Sequence, residues 1–156
     1  MRKPAIRRAL FSAAGRILTR LSRAPGQPEP RRVLVIRPDH LGDLLFAAPA
    51  LRLLRTWLPR AHITALVGPW SAEVVSRSPY VDQVQTYAFP WFDRVPKGSL
   101  LSPYRQLARK SAQLRVGRYD LAVVLRFDHW WGALLTALAG IPERSEERRV
   151  GKECRL

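Results

Sequence analysis

Apolar residues fall either in short unbroken runs or at three- and four-residue steps, and the alternation of the two predicts strands followed by helices. Residues 33–36, Val-Leu-Val-Ile, form a continuous run of the kind found in a parallel strand buried on both faces. After a polar turn, Leu44, Ala47, Ala48, Leu51, Leu54 and Leu58 recur on one helical face, while Arg52, Arg55 and Arg60 fall largely elsewhere. Pro49 lies inside that pattern, so the helix either begins near Ala47 or is kinked there. A second strand is predicted over 62–67, ending in Gly68-Pro69, then a short helix over 71–77 and a third strand over 82–87. A polar helix over 103–116, a continuous apolar strand over 121–125 and an apolar helix over 130–139 follow. The alternation predicts an α/β, Rossmann-like parallel sheet with flanking helices.

Length and charge divide the chain further. Its 156 residues suit one domain, and 47% hydrophobic composition supports a packed core. The net charge of +15 is uneven, because residues 1–24 hold seven basic and no acidic residues. In that stretch Ile6, Leu10, Phe11, Ala13, Ala14, Ile17, Leu18 and Leu21 share one helical arc opposite Arg8, Arg16, Arg20 and Arg23. Two readings stand for this basic amphipathic helix: it lies on an anionic membrane surface, or it docks on the domain or frays. No apolar run approaches the roughly 20 residues needed to span a bilayer. Residues 25–30, rich in proline, read as a linker, and the folded domain is expected over 31–143.

Chemistry gathers in the first turn, at Arg37, Asp39, His40, Gly42 and Asp43. Open α/β sheets bind ligands at the carboxyl ends of their strands, and this turn occupies that edge. Gly42 suits either a tight turn or close approach of a ligand. Arg37 and Asp39 either pair with each other or hold an anionic ligand. Arg126, Asp128 and His129 end the fourth strand and face the same edge, with Asp128 as a helix cap the alternative. The aromatic loop 88–94 either folds over the core or serves binding, and Trp130 and Trp131 are expected in the core. The basic face of the helix over 103–116 reads as solvated more readily than as a phosphate site. Cys154 is the single cysteine, and His40, His62 and His129 show no metal-ligand spacing. No glycine-rich or Walker-type nucleotide loop and no nucleic-acid motif is present.

The pattern Arg37-x-Asp39-x-x-Gly42-Asp43, followed by Ala48-Pro49-Ala50-Leu51-Arg52, resembles the start of glycosyltransferase family 9, which contains the ADP-heptose:lipopolysaccharide heptosyltransferases. Agreement continues through 63–67, 78–84, 119–125 and 138–142 in the family's order, covering residues 32 to about 143. The resemblance implies the incomplete N-terminal, acceptor-side half of a two-domain GT-B fold, with inverting, metal-independent transfer of a heptose or related sugar to lipopolysaccharide core. It places the catalytic base at Asp43; with the strand-edge position, acceptor contacts are then expected at Arg37, Asp39, His40, Gly42, Arg126, Asp128 and His129, although family members vary where Asp39 and His40 stand. No cofactor is implied beyond the nucleotide-sugar donor, ADP-heptose by resemblance, which would bind the missing C-terminal domain and leave this chain inactive. The implied location is cytoplasmic, peripheral at the inner face of the bacterial inner membrane.

After Glu143 the resemblance stops. Residues 144–154 match one translated frame of a common short-read sequencing adapter, so 144–156 is expected to be an adapter-derived tail, disordered or a frayed helix. A sheet ending after four strands would leave an edge and an apolar helix face uncovered, and so be prone to association. Two other classes of function compete: a basic module binding anionic lipid or nucleic acid, and an unrelated Rossmann-like enzyme using the same turn.

Overall fold

A computed structural model describes residues 29–90, 102–126 and 130–146. Residues 1–24, most of the linker, Trp91, Phe92, Asp128, His129 and the tail beyond 146 lie outside the described residues.

The elements follow the predicted rhythm. Strand β1 (Arg32–Arg37) leads into helix α1 (Leu41–Trp57), then β2 (His62–Val67), a 3-10 turn (Pro69–Ser71) and α2 (Ala72–Ser76). Strand β3 (Gln83–Thr86), α3 (Ser102–Val116), β4 (Leu121–Val124), α4 (Trp130–Leu138) and β5 (Glu143–Glu146) complete the order. The sheet runs β3-β2-β1-β4-β5, and every neighbouring pair is parallel. The chain builds outward from β1 through β2 to β3, then returns to the other side of β1 with β4. Strands β1 and β4 therefore flank the topological switch point.

Alternation along β1 assigns the two layers. Val33 and Val35 pack with Ala47, Leu51, Leu54 and Leu58 of α1 and its end, whereas Leu34 and Ile36 pack with Leu107 and Leu114 of α3 and Trp131 and Leu135 of α4. Val33, Leu34, Val35 and Ile36 are each 1% exposed or less, which explains the unbroken apolar run: both faces of the central strand are covered. Phe89 is fully buried against Tyr87, so this part of the aromatic loop belongs to the core. Gly140, with φ +72°, closes α4 in a left-handed conformation, its N–H bonded to the Ala137 carbonyl.

Three details settle or correct the sequence reading. Of the two readings for α1, the start near Ala47 is not the one found: the helix runs through Pro49 from Leu41. The carbonyl that loses its donor there belongs to Leu45, which is exposed, so water can take the bond. Trp130, expected in the core, is 57% exposed: it opens α4 at the sheet edge, its ring in a T-shaped contact with that of Trp131. The sheet has a fifth strand, and its residues 144–146 belong to the stretch expected to be disordered or a frayed helix. Strand pairing is made by main-chain groups, so a polar Glu-Arg-Ser-Glu segment can join an edge without any apolar pattern.

Candidate functional site

The site is built where β1 and β4 end. Beyond β1 the backbone turns through Pro38, Asp39 and His40 into α1, with His40 in the N-cap position and extended at φ −76°, ψ 170°. Its carbonyl receives the Asp43 N–H at 3.1 Å and the Leu44 N–H at 3.2 Å, but its side chain makes no cap. Beyond β4 the chain continues through Leu125 to Arg126 at the same edge.

Asp39 is the hub of this edge. Its side chain is 2% exposed, which makes an isolated charge there costly and a paired one tolerable. Arg37 Nε lies 2.5 Å from Asp39 Oδ2, an ion pair by distance whose angles are not those of a hydrogen bond. Arg126 Nη1 donates to Asp39 Oδ1, and Arg37 Nη1 donates to the Leu125 carbonyl. Of the two readings for Arg37 and Asp39, the pairing is present, and Arg126 joins it from 87 residues away.

The Asp39 backbone is held as well. Its carbonyl accepts Trp70 Nε1 and Ser71 Oγ, each at 3.0 Å, from the turn after β2. Trp70 also lies 5.3 Å, ring centroid to ring centroid, from His40. Gly68 makes room for this arrangement, since a Cβ on it would stand 2.2 Å from the indole ring. Trp70 and Ser71 were not among the candidate residues. The signal that pointed toward them was the Gly68-Pro69 break ending a strand at the same edge.

Asp43 is placed differently. It lies exposed in the first turn of α1, and among the described residues its carboxylate has no hydrogen-bond or ion-pair partner. It therefore does not cap the helix. A Cβ on neighbouring Gly42 would meet nothing within 4 Å, and Gly42 has ordinary helical freedom rather than a left-handed φ. The turn therefore does not require a glycine at this position. Leu41, Leu45 and Phe46 add exposed apolar surface to the same two turns of helix.

The arrangement gathers Arg37, Asp39, His40, Gly42, Asp43 and Arg126 at one edge; Asp128 and His129 lie outside the described residues. Chemically it offers a solvent-facing carboxylate beside a rigid, cation-containing cluster and a helix N-terminus, a combination suited to accepting a proton next to an anionic ligand. Among the described residues no group of three or more histidine, cysteine, aspartate or glutamate side chains could hold a metal, and no helix is long and apolar enough to cross a membrane.

No protein-family model matches the chain. Lipopolysaccharide heptosyltransferase 2 of Escherichia coli strain K12 is 31% identical over 114 residues, which is 73% of this chain and 30% of that protein. The structure of E. coli ADP-heptose lipopolysaccharide heptosyltransferase II matches with a TM-score of 0.59 at 27% identity, over 72% of this chain and 29% of that one. A glycosyl transferase of family 9 from Veillonella parvula DSM 2008 also matches with a TM-score of 0.59; at 21% identity, over 73% of this chain and 31% of that one, it speaks for the fold alone. The chain spans about 30% of the length of the curated relatives it matches.

Proposed function

We propose that this chain, a heptosyltransferase-like protein of glycosyltransferase family 9 over the part it shares with its relatives, is the acceptor side of a sugar transferase acting on lipopolysaccharide core, with Asp43 as the general base. The observation that carries the reading is the exposed Asp43 carboxylate at the switch point, without a partner among the described residues, where an acceptor hydroxyl can reach it. In the transfer, the acceptor oxygen forms a bond to the anomeric carbon as the bond from that carbon to the nucleotide diphosphate breaks. The electron pair leaves with the diphosphate, the acceptor proton passes to Asp43, and the anomeric centre inverts. The donor, ADP-heptose on this reading, binds sequence outside the matched residues, and the chain on its own is inactive.

Arg37 and Arg126 give the edge its positive character toward an anionic core, and His40 and Gly42 border the acceptor hydroxyl. Asp128 and His129 belong to the same acceptor side. Residues 1–24 hold the protein peripherally on the cytoplasmic face of the inner membrane by apolar contact and attraction to anionic lipid.

Two titrations test the division of labour. The 156-residue chain is titrated with a phosphorylated lipopolysaccharide core oligosaccharide and, separately, with ADP-heptose. Binding of the core, weakened by added salt and by Arg126→Gln, together with no binding of ADP-heptose, is expected. Binding of ADP-heptose without binding of the core would overturn the reading.

A further inference from the structure

We infer that Asp39 is a positioning residue, one that fixes the place of Asp43 by tying together the ends of three strands. Asp39 sits one residue before the N-cap of α1. Its carboxylate is engaged by Arg37 at the end of β1 and by Arg126 beyond β4, and its carbonyl by Trp70 and Ser71 beyond β2. No other described residue joins both sides of the switch point in this way through side chain and main chain together.

The need for such a tie follows from how α1 begins. Neither the His40 side chain nor the Asp43 carboxylate caps the helix, so its first turn depends on the His40 carbonyl, on burial of Leu44 and on what holds the chain immediately upstream. That upstream hold is Asp39. A buried carboxylate with guanidinium partners is a poor way to gain stability, because an apolar side chain of similar volume does as well or better without the desolvation cost. It is a good way to impose one geometry, since removal of a partner leaves a charge uncompensated and the alternatives high in energy. Gly68 belongs to the same device: without space for the indole, Trp70 could not reach the Asp39 carbonyl.

The inference deepens the reading of Asp43 as base, yet its test involves no sugar, acceptor or turnover, so either can fail while the other stands. The 156-residue chain is labelled with 15N; the backbone order parameters of residues 40–44 are compared in parent, Asp39→Asn and Trp70→Phe, and the exchange of the Trp70 indole proton in parent and Asp39→Asn. Order parameters near 0.85 in the parent and below about 0.6 in Asp39→Asn are expected over 40–44. The Trp70 indole proton exchanges about tenfold faster in Asp39→Asn, while the Leu34 and Ile63 amides stay within about twofold of the parent. Trp70→Phe keeps an aromatic ring and the charge cluster while losing the N–H donor and part of the ring; it lowers the order parameters in the same stretch to a smaller degree. Unchanged order over 40–44 in both variants overturns the inference. So does loss of protection shared equally by Leu34 and Ile63, which would make Asp39 a residue of general stability. If Asp39→Asn does not fold, Trp70→Phe decides the matter by the same two criteria.

Discussion

The two edges of the sheet use aspartate in opposite ways. At the amino edge, Asp120 Oδ2 accepts the backbone N–H groups of Arg31 and Arg32 at 2.8 and 2.9 Å, and Asp82 Oδ2 accepts the Ile63 N–H at 2.7 Å and Arg55 Nη2 at 2.5 Å. These carboxylates knit strand starts together. At the carboxyl edge, Asp39 binds guanidinium groups and the Asp43 carboxylate binds no described residue. Exposed apolar residues divide in the same sense: Leu41, Leu45, Phe46, Tyr104 and Trp130 open helices at the carboxyl edge, whereas only Val116 and Leu138 stand at the other, among the described residues. A polar group that is satisfied internally stabilises the fold, and one left facing water is available for chemistry.

The contrast can be broken at each edge. In a chain that also carries a donor-binding half, Asp43→Asn should lower sugar transfer by about 10²-fold or more while shifting the unfolding midpoint by less than about 0.5 kcal/mol, as enzyme assay and urea unfolding would record. A large loss of stability in that variant would place Asp43 with the structural carboxylates instead. Asp120→Ala should do the reverse, removing the acceptor of two strand N–H groups and lowering stability by about 1–2 kcal/mol in urea, with no change in affinity for the core oligosaccharide.

Gly42→Ala sharpens the comparison within α1. The added methyl enters open space and favours helix by about 0.5–1 kcal/mol, so thermal unfolding should move upward while core binding weakens. A stabilised variant with unchanged binding would show that the space beside Asp43 is not used.

The smallest effect is expected from Asp82 and appears as a pH dependence. Burial by itself raises its carboxyl, but the Ile63 N–H, the hydrogen bond and charge of Arg55 and the nearby His62 outweigh it and hold the pKa below the ordinary 3.8. A carboxylate with a lowered folded pKa contributes stability above 3.8, and that contribution is lost as pH falls through the lowered value. Unfolding of the parent chain measured between neutral pH and the acid range should therefore steepen below 3.8 relative to Asp82→Asn. Because the group is partly exposed, added salt should narrow the difference.

How far the fold could be read from the chain depended on burial. Strands β1, β2 and β4 announce themselves because both faces are covered and no polar residue is tolerated between Val33 and Ile36 or between Leu121 and Leu125. Strand β5 carries no such mark: its place comes from main-chain bonds to β4, which ask nothing of its side chains. Pro49 left the start of α1 open between two readings, because its cost depends on whether the freed carbonyl faces water, and the order of residues does not state that. The family resemblance is matched by relatives over 73% of the chain and by a solved structure over 72% of it.

By itself, then, the sequence determined the alternation of strand and helix, the parallel class of the sheet and the turn in which Asp43 stands. These depend on local period and on a few adjacent residues, so they survive without knowledge of neighbours. Only the tertiary structure decided that Asp39 is buried between Arg37 and Arg126, that Trp70 grips its carbonyl and that Asp43 is left without a described partner. Pairing of groups 31 and 87 residues apart is settled by which strands lie side by side, and strand order is a property of the whole packed sheet.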